Sequence, residues 1–345
     1  MKFVLLFVFA VINADGADEG HCRLNPHPSV EYRCILLGSA VGSRVCGAHE
    51  PAGTLVSPQC RTNYYSTGTL TYMQCLNGNW DYIAKCVPDC GRVTADGMEL
   101  VIGGQRVRRG ELPWHAGVYK KTWRPYQQIC GGTLISANIV ISAAHCFWSD
   151  LEKQLPASQF AVAVKVLHVP ARYQGAGAHN QDDIAVVVTA REFQFNTYIR
   201  PACLNFDYHF EVQQLYPGNQ GKVAGWGLTA ANGKASSVLQ VVDLPYVDIR
   251  TCIRNSPPAF REYITTDKIC AGTLERKLNL GKSRCELVSV TRGNWLENWG
   301  IERFYLRGVV STAPTSNNAC NTAVYTSFTS IMQHEHFIKQ FWIES

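Results

Sequence analysis

The chain has 345 residues, 32 basic and 27 acidic side chains, a formal net charge of +5 and 14 cysteines. That length allows one small unit and one large enough to bury a full core. The modest, dispersed charge argues against nucleic-acid binding, and the cluster Arg106, Arg108 and Arg109 reads as a solvated loop. No phosphate-cradling Gly-Lys-Ser/Thr loop and no His-Glu-x-x-His pair occurs, so neither cofactor nor metal is expected.

The first 16 residues, MKFVLLFVFAVINADG, place one lysine before an apolar run from Phe3 to Ile12, with the small Ala14 behind it. This pattern reads as a secretory signal peptide too short to span a bilayer. A secreted, extracellular protein is expected, not membrane-bound, with its cysteines in structural disulfides. Residues 17–89 carry Cys22, Cys34, Cys46, Cys60, Cys75 and Cys86 among turn residues, which reads as a disulfide scaffold whose pairing stays open. Alternation in Thr69–Met73 predicts short strands. The stretch CRTNYYSTGTLTYMQCLNGNWDYIAKC resembles a sushi (complement control) module, in which Trp80 would be core. The front half departs from the plain four-cysteine pattern by an extra pair. The resemblance implies a module that binds protein or carbohydrate partners.

From Cys90 onward, β-branched and aromatic runs such as GTLISANIVISAAHC, IAVVVTA, GKVAGWG and YLRGVVS predict many short strands. The final stretch SIMQHEHFIKQFWIES spaces Ile331, Phe337, Ile338, Phe341 and Trp342 as one amphipathic helix. His145 directly follows a strand-like run, and Asp183 stands at the mouth of the apolar run Ile184–Val188. An ionised carboxylate buried there needs a partner. Bonded to one imidazole nitrogen, it would fix the tautomer and leave the other nitrogen as a general base for a hydroxyl.

The segments CGGTLIS, SAAHC, DDIAVV, AGWG and KICAG, in that order, resemble the chymotrypsin–trypsin family from about Cys90 to the C-terminus. The resemblance implies a mainly β fold of two antiparallel barrels with the active site in the cleft between them. It gives His145 and Asp183 the roles of base and orienting acid. It also implies disulfides Cys130–Cys146, Cys252–Cys270 and Cys285–Cys320, with Cys90–Cys203 as a tether. Lys222 stands where the first cysteine of a further family bridge usually lies. Members are made as zymogens, and VIGG implies cleavage between Leu100 and Val101, after a linker over 90–100 and before a protease domain over 101–345. A leucine before the cut is a departure from the usual basic residue. In this the chain resembles insect modular serine proteases, which implies an extracellular cascade in innate immunity, with protein substrates or other cascade proteases as partners.

The family's nucleophile is written Gly-Asp-Ser-Gly-Gly, two residues after a cysteine. Counted from Cys285, Ser289 falls on the nucleophile, while Leu287, Val288, Val290 and Thr291 replace the residues around it. Valine at 288 cannot pair with a new α-amino group at Val101, and leucine at 287 crowds an oxyanion-hole glycine. By the same count Ser283 lies at the base of a chymotrypsin-like specificity pocket. Ser311 lies on the substrate-backbone strand, where Thr312 replaces a usual tryptophan. The reading is a serine endopeptidase with an impaired nucleophile loop; the alternative is an inactive homologue that binds cascade partners.

Overall fold

The computed structural model describes residues 20–36, 42–93, 105–107, 110–122, 124–161, 164–225, 239–274, 287–293, 302–312, 315–316, 319–320 and 324–342. Residues 1–16, the Leu100–Val101 bond, Ser283 and Cys285 lie outside them. Two compact units divide the chain, Met1–Val87 and Pro88–Glu344.

In the first unit, strands Gly42–Val45, Val30–Leu36, Leu55–Cys60, Met73–Leu76 and Asn79–Trp80 form one sheet in that order. Val30, Tyr32 and Cys34 alternate inward along their strand and meet Leu24, Val56, Met73 and Ala84. Trp80 is only half-buried. Its ring packs at the rim of this cluster and its Nε1 donates to the Arg23 carbonyl at 3.0 Å. So small a core needs cross-links, and Cys22–Cys75, Cys34–Cys46 and Cys60–Cys86 supply them. The first spans 53 residues of sequence, which corresponds to about 4 kcal/mol of unfolded-chain entropy. Replacing Cys22 and Cys75 together by alanine is expected to speed amide exchange in Val30–Leu36 roughly 1000-fold; unchanged exchange rates would contradict this.

In the second unit, six antiparallel strands run in the order Phe160–Ala161, His115–Lys120, Gln127–Leu134, Ile139–Ser142, Ala185–Thr189 and Val164–His168. The first and last follow each other in sequence, so the sheet curls until its edges approach. A second sheet repeats the device. Its order is Arg303–Tyr305, Leu287–Gly293, Gln220–Gly225, Gln240–Val247, Lys268–Ala271, Thr326–Ser330 and Gly308–Thr312, with Gln105–Arg106 beside Gln240–Val247. Here only Leu306 and Arg307 separate the two edge strands. The architecture is therefore mainly β, with two barrel-like sheets and few helices. Close approach is built into the glycine-rich segment: a Cβ on Gly132 would come within 2.4 Å of Val140 Cγ1.

Among the described residues, three bridges hold the second unit: Cys90–Cys203, Cys130–Cys146 and Cys252–Cys270. Beside the first of them, Asp89 accepts from Arg92, Arg200 and Arg303, while Arg303 also donates to the Cys90 carbonyl. The C-terminal stretch is not one continuous helix. A 3₁₀ turn, Met332–His334, leads into a five-residue α-helix, Glu335–Lys339. His334 turns inward at the junction, and its ring bonds the Ser330 carbonyl. Ile331 and Ile338 are buried, with Phe337, Phe341 and Trp342 packed half-buried against the core. Among the described residues, no helix is long and apolar enough to cross a membrane.

Candidate active site

The buried strand Ile139–Ser142 runs into a 3₁₀ turn, Ala144–Phe147, that carries His145. Ala143 and Ala144 are small enough to be buried at this junction, and Cys146 is bonded to Cys130 on the neighbouring strand. The imidazole is thereby presented at the surface with 40% of its side chain exposed. Asp183 immediately precedes the buried run Ile184–Val187 and is fully buried itself.

Three donors converge on the Asp183 carboxylate. The His145 amide reaches Oδ1 at 2.9 Å, His145 Nδ1 reaches Oδ2 at 2.8 Å, and the Ser311 hydroxyl reaches Oδ2 at 2.7 Å. Burial alone would push the carboxyl up, but the charge of His145 and these hydrogen bonds together hold it below the usual carboxylate value. With Nδ1 donating to Asp183, the neutral ring presents Nε2 as an acceptor, the form that takes a proton from a hydroxyl.

Ser311 lies on Gly308–Thr312 and is buried, so this strand anchors the Asp183 carboxylate. Thr312 is half-buried beside it, and the Asn180 amide reaches its hydroxyl at 3.5 Å. Ser289 stands within the strand Leu287–Gly293, in register with the buried Val223 of Gln220–Gly225. The same strand pairs with Arg303–Tyr305 through Thr291, Arg292 and Gly293. The residue lies in extended, paired backbone and not on a turn. Sequence reasoning missed the hydroxyl of Ser311 as a partner of Asp183. It also missed Asp182, Asp267 and His334, which gather behind the dyad; the doubled acid in DDIAVV was the available signal.

Residues 101–333 match the family model described as Trypsin. The chain belongs to the trypsin family. Within that family it is similar to the modular serine protease of Drosophila melanogaster, 28% identical over 337 residues, which covers 90% of this chain and 51% of the relative. It is also similar to transmembrane protease serine 11C of Mus musculus, 32% identical over 231 residues, covering 62% of this chain and 51% of the relative. Serine protease gd of Drosophila melanogaster is 28% identical over 239 residues, 60% of this chain and 44% of that relative. This trypsin-family chain thus spans about half the length of the curated relatives it matches.

Proposed function

We propose that the chain is a secreted serine-protease-family protein of an extracellular cascade, a zymogen cut between Leu100 and Val101, whose nucleophile loop is impaired. In this reading, binding to protein substrates or other cascade proteases outweighs hydrolysis. The register of Ser289 carries the proposal. Along an extended strand, adjacent amides point to opposite sides and next-but-one amides lie about 7 Å apart. No two of them converge on one oxygen, whereas a developing oxyanion needs its donors at about 3 Å. Val288 adds to the defect, because it offers no charge to a new α-amino group at Val101.

The domain plan is a signal segment over 1–16, a sushi-like module over 17–89, a linker over 90–100 and a protease domain over 101–345. The family match beginning at Val101 supports the last boundary. The modular serine protease of Drosophila melanogaster aligns over more of this chain than the family match alone, which supports a shared front part. After cleavage, Cys90–Cys203 would keep that front part attached. The role in innate immunity, and protein or carbohydrate partners for the sushi-like module, rest on the likeness to insect modular serine proteases.

A fluorophosphonate probe tests the reading. After cleavage behind Leu100, neither the wild-type chain nor Ser289→Ala is expected to be labelled, and partner binding is expected to survive the substitution. Labelling that Ser289→Ala abolishes would overturn it. The second reading, weak hydrolysis, is favoured by one observation, the intact bonding of His145, Asp183 and Ser311.

A further inference from the structure

Behind the dyad lies a buried charged network that the roles of His145 and Asp183 do not use. His334 has 6% relative exposure. Its Nδ1 is 2.8 Å from the Ser330 carbonyl, and its Nε2 is 3.1 Å from Asp182 Oδ1. A carbonyl oxygen only accepts, so Nδ1 carries a hydrogen. Asp182 presents its other oxygen to Arg172 Nε at 3.2 Å.

Charged groups surround the ring. Asp267 Oδ2 lies 3.9 Å from His334 Nε2, and Lys268 Nζ lies 2.6 Å from the same oxygen. The groups that face His334 are therefore Asp182 and Asp267, with Arg172 and Lys268 on their far sides. Asp267 also accepts from the Asp182 amide at 3.0 Å. Asp182 is thus gripped at its side chain by His334 of the C-terminal turn and at its backbone by Asp267, just before Lys268–Ala271.

That grip has a conformational purpose. Asp182 has φ 57°, in the left-handed region, and Asn180 has φ 53°. Residues other than glycine hold such angles at a cost of about 1 kcal/mol or more, and keep them only where surrounding contacts fix them. The next residue is Asp183, whose carboxylate must meet His145 and Ser311 together. The Ile184 amide closes back onto the Asp182 carbonyl at 2.8 Å.

We infer that the buried His334 is a positioning residue that fixes Asp182 and through it holds Asp183 beneath His145. The inference rests on reading His145 and Asp183 as base and orienting acid, and on no nucleophile. Histidine-selective ¹⁵N NMR of the full chain tests it without any hydrolysis. The His334 ring is expected to show a hydrogen on Nδ1, facing the Ser330 carbonyl. In His334→Phe, the low-field proton between His145 Nδ1 and Asp183 is expected to be lost, and the His145 titration midpoint to fall by about one unit. His334→Gln, which can still donate to Asp182, is expected to restore most of the shift. Should His334→Phe not fold, Asp182→Asn, nearly the same shape, is expected to move His145 in the same direction. An unchanged His145 in folded variants overturns the inference. Absence of the low-field proton in the wild type would instead remove the reading of the dyad, while the bond from His334 to Asp182 still stood.

Discussion

Inserting Gly-Asp-Ser-Gly-Gly between Glu286 and Leu287 is expected to raise peptide hydrolysis about 1000-fold or more, once parent and variant are both cut between Leu100 and Val101. The strand Leu287–Gly293 already has its partners, Gln220–Gly225 on one side and Arg303–Tyr305 on the other. An insertion ahead of Leu287 leaves that register alone and keeps Cys285 two residues before the first glycine. The added glycines permit the turn in which two amides can converge on one oxygen. The added aspartate gives the α-amino group of Val101 a buried partner. A contrasting variant writes the same five residues over Leu287–Thr291. It places three glycines and an aspartate inside a paired strand, each glycine costing roughly 1 kcal/mol, and no gain in hydrolysis is expected. Activity in the overwritten variant and none in the insertion would mean that Ser289 does occupy the nucleophile position. Adding His145→Ala to the insertion variant should abolish the gain, which ties the activity to the dyad.

The two variants also mark where sequence reading reached its limit. Counting from Cys285 treats the segment as a rigid ruler, whereas strand pairing sets register through hydrogen bonds to Gln220–Gly225, residues far away in the chain. The meeting of His145 and Asp183 was legible because both stand at the ends of buried runs, IVIS and AVVVT, that lie side by side. Alternation in Thr69–Met73 misled, because the strand begins only at Met73 and residues 69–72 are irregular. The network around Asp182 was not legible. Its partners stand 85 and 152 residues away, and no local periodicity links them. The C-terminal segment has helical spacing over its whole length, yet the ring of His334 turns toward Asp182 at the point where the 3₁₀ turn gives way to the short helix. Tertiary bonding overrides the pattern there.

Asp183→Ala is expected to destabilise the protease unit by about 3 kcal/mol, because it leaves the His145 amide, His145 Nδ1 and the Ser311 hydroxyl without their acceptor. For a unit of this size that corresponds to a fall in Tm on the order of 10 °C. Asp183→Asn keeps the shape and one acceptor oxygen, so it should lose less at neutral pH and differ most in acid. The sign follows from the carboxyl's depressed folded value. Stabilisation from the ionised form is complete above the unfolded value of about 4 and disappears as pH falls through the folded value. Wild-type Tm should therefore drop between neutral pH and about pH 3 by more than that of Asp183→Asn. Thermal unfolding at a series of pH values reads both effects. If the two acid limbs run parallel, Asp183 is not ionised beneath His145 in the folded chain, and the dyad loses its electrostatic basis. If they diverge while His145→Ala also flattens the acid limb of the wild type, the coupling runs through the imidazole, and His145 is held in place by an ionised Asp183.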